Sequence, residues 1–420
     1  MHSYFIWTIG CQMNQAESEK ISERLRGHGY IEAPSINDAD IVIVNSCVVR
    51  KHAEDKVINK LHNLKPLKKA KPNLRIILTG CFVDQDSNEL RKQYPYVDDF
   101  LKPGEFPDWL PPKDHPIKTS ARSAVSAYIP IIQGCNNFCT YCIVPYRRGR
   151  EKSRTMAEIV TEVEQLAQIG IREVTLVGQN VDSYGHDLPE KPDLAMLLTQ
   201  LNQIKELARI RFLTNHPKDM SPRLIEAMRQ QNKVCRQINL PVQSGDDEIL
   251  RAMHRGYQIA DYYALINRLR QAMPDIAITT DIIVGFPGES EHQFHNTCRV
   301  LEELRFDAVH VASYSPRIGT YAASHFADNV EPAIKKARLN TVETLQEQIA
   351  REINSSFLGQ TLEVLVDGMN KGRWQGRTRS DKTVFFGGTD ILQGKVVNVT
   401  ISKTGPWSFQ GTLAPRINTC

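Results

Sequence analysis

No apolar run in this chain approaches the roughly 18 to 20 residues that a membrane-spanning helix needs, so a membrane protein is not expected. The opening residues MHSYFIWTIG lack the basic region and cleavage-like site of an export signal, which leaves the cytoplasm as the expected compartment. Charge of one sign is scarce too: 52 Lys and Arg stand against 48 Asp and Glu, a net +4 over 420 residues. That excess lies in residues 354–420, where eight Lys or Arg meet four acids on an otherwise neutral chain. A small basic tail suits a polyanionic partner; a solvated surface with a few extra cations accounts for the charge equally well. Disulfides are not indicated, because nine cysteines is an odd number and a chain this long does not need them to hold its core. Metal ligation is the better use for them. At 41% hydrophobic and 24% charged residues the composition is that of a globular protein, and the length points to two or three domains.

What the chain does have is residues 134–142, GCNNFCTYC, where Cys135, Cys139 and Cys142 follow the apolar run 128–132 in a C-x3-C-x2-C spacing. Gaps of three and two residues let one loop give three irons of a cuboidal 4Fe-4S cluster a thiolate each, whereas full cysteine ligation takes four. The fourth iron is left open, and an open position is what separates catalytic from structural zinc sites. A zinc knot completed by a distant histidine also fits the bare spacing.

Upstream, the strand-like runs 5–9, 41–44 and 75–79 alternate with helical patterns and end in Gly10-Cys11, Asn45-Ser46-Cys47 and Gly80-Cys81. Ligands of an open parallel sheet lie outside the carboxyl ends of its strands, so Cys11, Cys47 and Cys81 are expected along one edge of one Rossmann-like sheet. Three cysteines so placed suggest a second cluster, although a lone buried cysteine commonly just packs. The charged run 64–71 reads as an exposed loop, and the proline-rich stretch 102–120 as a linker.

Beyond it, strands near 129–132, 173–177, 209–213, 236–242, 277–284 and 308–314 alternate with helices. Six βα units in series imply an α/β fold with a parallel sheet curved toward an incomplete barrel. Gln179, Asn215 and Gln243 follow successive strands, and Gly285, Gly288 and Glu289 follow the fifth, where such a fold binds its ligand. Each alone is also consistent with an ordinary βα turn. Arg147, Arg148, Arg150, Lys152 and Arg154 make a cationic patch after the cysteine loop that suits RNA phosphates or pairing with nearby acids such as Glu151. Arg317, leaving the last strand, faces either a substrate, an anionic group of a cofactor, or solvent. An amphipathic helix over 332–353 leads to five short strands in 354–417, a small barrel of the nucleic-acid-binding kind. There Arg377, Arg379 and Lys382 lie beside Phe385 and Phe386, a set suited to phosphate contact and base stacking; by strand alternation at least one phenylalanine points inward. His186, His254, Cys235, Cys298 and Cys420 have no partner spacing and are given no ligand role.

The run GCNNFCTYCIVPYRRGREKSR, residues 134–154, with Tyr141 before the last cysteine, resembles the methylthiotransferase branch of the radical S-adenosylmethionine (SAM) enzymes. GCQMN at 10–14, with Cys47 and Cys81 downstream, resembles that family's amino-terminal domain, and the tail is similar to the TRAM domain, an RNA-binding barrel. The resemblance covers essentially the whole chain: a cluster domain over 1–118, a radical SAM core with a partial (β/α)6 barrel over 121–352, and a TRAM barrel over 354–417. It implies two 4Fe-4S clusters, an auxiliary one on Cys11, Cys47 and Cys81 and a radical-generating one on Cys135, Cys139 and Cys142. SAM is expected on the open iron of the latter, with its nucleoside against Tyr141, Gln179, Asn215, Gln243 and the 285–289 loop.

Within the family, GCQMN, the Cys135 loop and LPVQSG followed by MHRGY look most like the enzymes that methylthiolate carbon 2 of isopentenyladenosine, at position 37 of tRNA beside the anticodon. The resemblance implies that one SAM methylates a cluster-bound sulfur, while a second is cleaved by one electron to a radical that takes the hydrogen from that carbon. The basic loop Arg147-Arg148-Gly149-Arg150, and Asp381 where the barrel often has Asn, depart from this subgroup. Threonylcarbamoyladenosine in tRNA or a ribosomal-protein aspartate is therefore the alternative substrate. A non-catalytic zinc-binding RNA adaptor is the reading from another class. The implied partners are tRNA, a one-electron reductant and a sulfur source that the sequence does not identify; a monomer is expected.

Overall fold

The structure is a computed structural model that describes residues 2–49, 51–83, 87–111 and 125–415. Its first layer runs β1 (Ser3–Thr8), α1 (Gln12–Gly27), β2 (Ile31–Glu32), β3 (Ile41–Ser46), α2 (Lys51–Ala70), β4 (Arg75–Gly80), α3 (Asn88–Gln93) and β5 (Asp99–Leu101). The five strands form one parallel sheet in the order β2-β1-β3-β4-β5. All six residues of β3 are buried, as a central strand covered on both faces requires. Val57, Leu61 and Leu64 of α2 pack on one face with Val42, Val44 and Leu78. Ile21 and Leu25 of α1 pack on the other with Tyr4, Ile41 and Ile77.

Two expectations change here. The run 64–71 is mostly the last turns of α2 rather than a loop, because Leu64 continues the buried face of that helix and Lys68 anchors its end on Asp98. Residues 102–111 of the expected linker are turns and irregular chain; the rest of that stretch, and the divisions at 118 and 121, lie outside the described residues.

The central layer runs β6 (Ser126–Pro130), β7 (Ile132–Gln133), α4 (Val144–Arg148), β8 (Lys152–Ser153), α5 (Met156–Gln168), β9 (Glu173–Val177), α6 (Leu194–Leu201), β10 (Arg209–Phe212), α7 (Pro222–Gln230) and β11 (Gln237–Asn239). It continues through α8 (Asp247–Ala252), α9 (Ile259–Ala272), β12 (Ala277–Val284), α10 (Glu291–Leu304), β13 (Ala308–Ser313), α11 (Tyr321–His325) and α12 (Pro332–Ser355). Six strands are parallel, in two sheets of three, β6-β9-β10 and β11-β12-β13. A single bridge, Ile210 to Val234, links the halves, so the barrel has a seam. β7 and β8 pair antiparallel and fix both ends of the cysteine loop between them. Val174 and Leu176 point outward into a core shared with α5 and α6, which turns Glu173 and Thr175 toward the barrel axis.

The chain ends in a closed five-stranded barrel of β14 (Thr361–Asn370), β15 (Arg373–Thr378), β16 (Thr383–Phe386), β17 (Val396–Thr404) and β18 (Ser408–Leu413). Phe386 fills it together with Trp374, Val384, Val399 and Phe409, while the neighbouring Phe385 is half-buried. The turn between β15 and β16 docks at the amino ends of the central strands. Glu173, the first residue of β9, accepts Arg211 Nε at 2.9 Å and Arg377 Nη2 at 2.5 Å. Arg209, which opens β10, donates to the Arg377 carbonyl and to Glu363, and Arg211 donates to the Thr378 and Arg379 carbonyls. Arg379 caps the carbonyls of Asn232 and Val234, and Lys382 pairs with Asp307 at 2.7 Å.

The expectation that Arg377, Arg379 and Lys382 grip RNA is therefore corrected: all three are engaged in holding the barrel to the core. Strand alternation put Arg377 on the outside of the barrel, and that outside face is the one the core covers. Asp381, at φ 63°, turns the hairpin and pairs with Arg377 at 3.0 Å; Asp tolerates this left-handed conformation about as Asn does.

Candidate cluster and cofactor site

The two cysteine sets lie at the carboxyl ends of their sheets, and they are neighbours. Cys11, Cys47 and Cys81 follow β1, β3 and β4. A buried amide network ties these strand ends to the start of α1: Asn14 Nδ2 donates to Asn45 Oδ1 and to the Ser46 carbonyl, each at 2.9 Å, and Asn45 Nδ2 donates back to the Asn14 carbonyl at 2.8 Å. Gly10, at φ 137°, is needed there, because a Cβ would come within 2.6 Å of the Cys47 Cβ. Cys47 accepts the Val49 N–H at 3.4 Å. Cys81 accepts the Arg148 Nε–H at 3.1 Å, while the same guanidinium grips Glu17 of α1 at 2.6 and 3.2 Å. Burial, then the nearby Cys47, Glu17 and Cys11, push the Cys81 thiol up to about 12 against the pull of Arg148.

In the second set, Gln179 at the end of β9 accepts the Gly134 N–H at 2.7 Å, and Glu151 accepts two N–H groups of Asn136, both at 3.1 Å. Thr140 donates its N–H to the Met253 carbonyl and its hydroxyl to that of Ala252, which pins the middle of the loop to α8. Arg255, buried, donates to the Cys139 sulfur at 3.4 Å and to the Pro241 carbonyl at 2.7 Å. Burial raises Cys142 to about 12 and Cys135 to about 11, with Cys139 adding to both. Ile143, directly after Cys142, packs on Cys81 and Val48, so the two loops share an apolar contact. Arg317 adds a second crossing, to Glu54 at 3.0 Å and to the Val49 carbonyl at 3.2 Å.

Among the described residues no cysteine is in a disulfide, and no three His, Cys, Asp or Glu side chains surround a single metal ion. The donor chemistry fits iron-sulfur clusters. Each set offers three thiols, burial raising Cys81 in one and Cys135 and Cys142 in the other until coordination binds the thiolate, and each set has a guanidinium aimed at one sulfur.

At the ends of β9, β10 and β11 lies a polar group with work left to do. Asp182 accepts from Asn215 Nδ2 and from the His216 N–H, and burial pushes it up to about 7. His216 Nδ1 accepts the Lys218 N–H, which leaves the hydrogen on Nε2, and burial pushes this imidazole down to about 2. Yet Asn180 Oδ1, Asn215 Oδ1, Gln243 Oε1 and His216 Nε2 are buried without a partner. Each such atom costs about 1–3 kcal/mol unless something bonds to it. A polar ligand fits, and SAM, with its hydroxyls, amine and base nitrogens, has the matching groups.

Other sequence-derived candidates fall elsewhere. Tyr141 packs against Ile249, Met253, Phe286 and Tyr314. Glu289 is engaged within the protein: it accepts the Gly285 N–H at 2.6 Å and pairs with Arg338 of α12 at 2.8 Å. The space beside Gly285 is filled by the Lys335 side chain, whereas the space beside Gly288 is open. Arg148 is corrected from an RNA contact to the buried bridge above. Arg147 is half-buried near Cys81 and Glu54, and Arg150 is exposed, its guanidinium 4.3 Å from the Phe138 ring centre. The sequence reading gave no role to Asp182, Arg255 or Glu17, and it noted His216 as part of the strand-end stretch Asn215-His216-Pro217 without giving it one. Arg255, within MHRGY, also stood in a stretch already singled out.

Residues 129–301 match the Radical SAM superfamily, 3–102 match Uncharacterized protein family UPF0004, and 355–414 match the TRAM domain. Fold and thiols thus define a radical SAM enzyme with a barrel appended. A protein of Dehalococcoides mccartyi is 53% identical over 413 residues, covering 98% of this chain and 99% of its own. One of Chloroflexus aurantiacus is 46% identical over 422 residues, covering 97% and 91%. Both are named tRNA-2-methylthio-N(6)-dimethylallyladenosine synthase. The chain belongs to this family of radical SAM enzymes, and membership implies a 4Fe-4S cluster and SAM. Among solved structures, the radical SAM methyltransferase TsrM of Kitasatospora setae, with cobalamin and a [4Fe-4S] cluster bound, has a TM-score of 0.53 at 13% identity, over 89% of this chain and 81% of that one. That likeness is one of fold. No helix among the described residues is long and apolar enough to cross a membrane.

Proposed function

We propose that this chain transfers a methylthio group to carbon 2 of isopentenyladenosine at position 37 of tRNA, with one cluster on Cys135, Cys139 and Cys142 and a second on Cys11, Cys47 and Cys81. The observation that carries the reading is the juxtaposition of two three-thiol sets, at the carboxyl ends of two parallel sheets, joined by Ile143 and Arg148. The relatives' shared name supplies the substrate.

When bound, the clusters and SAM supply one-electron chemistry and a transferable sulfur, which no side chain of the protein provides. The protein's own part is placement and exclusion of water. Gln179 and Thr140 hold the cysteine loop in shape, and the apolar contact between Ile143, Val48 and Cys81 closes the space between the sets. The unpartnered atoms of Asn180, Asn215, His216 and Gln243 orient SAM. Arg150 near the mouth, and Lys371, Arg373 and Lys403, which face solvent on the barrel, hold the RNA backbone. The reading has residues 1–118, 121–352 and 354–417 as its three domains, working as a cytoplasmic monomer fed by a one-electron reductant.

The test is an anaerobic assay with isopentenylated tRNA, SAM and a reductant, with nucleosides read by mass spectrometry. Methylthio-isopentenyladenosine is the expected product. Turnover of threonylcarbamoyladenosine tRNA instead, or a colourless zinc protein that does not cleave SAM, rejects the proposal.

A further inference from the structure

Each thiol set has one buried arginine whose N–H points at one sulfur, and the two arginines are anchored differently. Arg148 comes from α4, on the central layer, and reaches Cys81 of the amino-terminal sheet, 67 residues away in the chain. Its other two nitrogens are clamped on Glu17, which lies on α1 of that sheet. Arg255 stays within the central layer, with Cys139 at one nitrogen, the Pro241 carbonyl at another and the Tyr257 hydroxyl at the third, at 3.3 Å. The Arg148 side chain is 2% exposed, and Arg255 is buried as well. A guanidinium stays charged in a protein, and burying one is costly unless its hydrogens are used. Here each sulfur is one of the uses.

Resting on the two-cluster reading above, we propose that Arg148 and Arg255 are positioning residues, each donating to a ligand sulfur of one cluster and raising that cluster's reduction potential. A hydrogen bond to a ligating sulfur, from a cation above all, withdraws electron density and favours the more negative, reduced state. The corollary is specific to this fold. The potential of the amino-terminal cluster depends on a side chain from the radical-generating layer, so that cluster reaches its working potential only when the two layers are docked.

The experiment is a redox titration followed by electron paramagnetic resonance on the full chain. Each cluster is read alone in a background whose other three cysteines are alanine. Arg148→Lys keeps a charge opposite Glu17 but loses the planar fork, and Arg255→Lys is its counterpart. The expected result is a downward shift of the amino-terminal cluster's potential in Arg148→Lys only, and of the other cluster's in Arg255→Lys only. Potentials unmoved in both variants, or moved equally at both clusters by either one, overturn the inference. Should Arg148→Lys not fold, Glu17→Gln combined with Arg148→Gln removes both charges together, leaves no ion unpaired, and must still lower that potential, because Arg148 is the nearer and stronger of the two. Iron content separates the two levels of the argument. About four irons in the reconstituted parent chain defeat the two-cluster reading itself, whereas about eight irons with unchanged potentials defeat only the role of the arginines.

Discussion

The two ends of the central barrel are built from similar residue types and differ in how completely those residues are paired. At the amino ends of the strands, Arg209, Arg211, Arg377, Arg379, Lys382, Glu173 and Asp307 engage one another or backbone carbonyls across the seam with the small barrel. At the carboxyl ends, Asn180, Asn215, Gln243 and His216 keep buried atoms without partners, and burial raises the Cys135 and Cys142 thiols. Pairing at the amino end is nearly complete, with Arg209 Nε and Gln237 Oε1 its buried exceptions, whereas the carboxyl end gathers four such atoms beside the cysteine loop. The contrast is one of degree, and it separates a mainly architectural face from a mainly chemical one.

Removing ligands at the chemical end should have the largest effect. Replacing Cys47 and Cys81 by alanine is expected to abolish methylthiolation and to lower iron from about eight to about four per chain, measured by iron analysis beside the nucleoside assay. Next comes the paired end. Glu173→Gln leaves Arg211 and Arg377 facing a neutral amide inside the seam, and breaking such a buried pair costs about 3–5 kcal/mol. Thermal or denaturant unfolding should show that loss with iron content unchanged; an equal loss of iron would erase the distinction between the two ends.

A subtler contrast lies within the chemical end. Asp182 has its pKa raised to about 7 from 3.8, so the stability it contributes is present at low pH and is lost as pH rises through about 7. His216 is lowered to about 2 from 6.5, so its stability is present above about 6.5 and is lost as pH falls. The two slopes oppose each other, each about 1.4 kcal/mol per pH unit, between roughly pH 4 and 6.5. Relative to the parent, Asp182→Asn should make stability rise more steeply with pH across that window, and His216→Gln less steeply, by denaturant titration. Parallel curves for all three proteins would show that these groups do not titrate as their burial dictates.

The smallest effect concerns the small barrel. Arg373→Ala with Lys403→Ala is expected to lower the slope of log affinity for tRNA against log salt by roughly 0.7–0.9 per cation removed. Arg377→Ala should leave that slope alone while loosening the seam, because its charge is already matched by Glu173, Asp367 and Asp381.

The strands were legible because a buried parallel strand is a short apolar run, and the thiols because their spacing is chemistry in itself. The central layer's six strands and the five of the small barrel fall close to where the apolar runs and turn signals put them. Alternation says which face of a strand a residue is on; it does not say what covers that face. Arg377 and Arg379 read as free cations for this reason, their partners lying 204 and 147 residues away. Arg148 sat in a run of basic residues whose density suited RNA phosphates or nearby acids such as Glu151, and nothing near it in sequence announces Glu17, 131 residues upstream. Glu289 was placed beside a ligand because it follows a strand, but α12 returns over that loop and takes its carboxylate.

The crossing of Arg148 also sets an order of manufacture. The amino-terminal sheet leaves the ribosome first, with all three of its thiols, but the guanidinium that meets Cys81 is made 67 residues later. At about 5–20 residues per second, the sheet waits several seconds or more with that contact unmade. During this interval Cys81 and Glu17 lack the partner that later covers them, so the finished surroundings of that strand end are a product of the central layer's synthesis and not of its own.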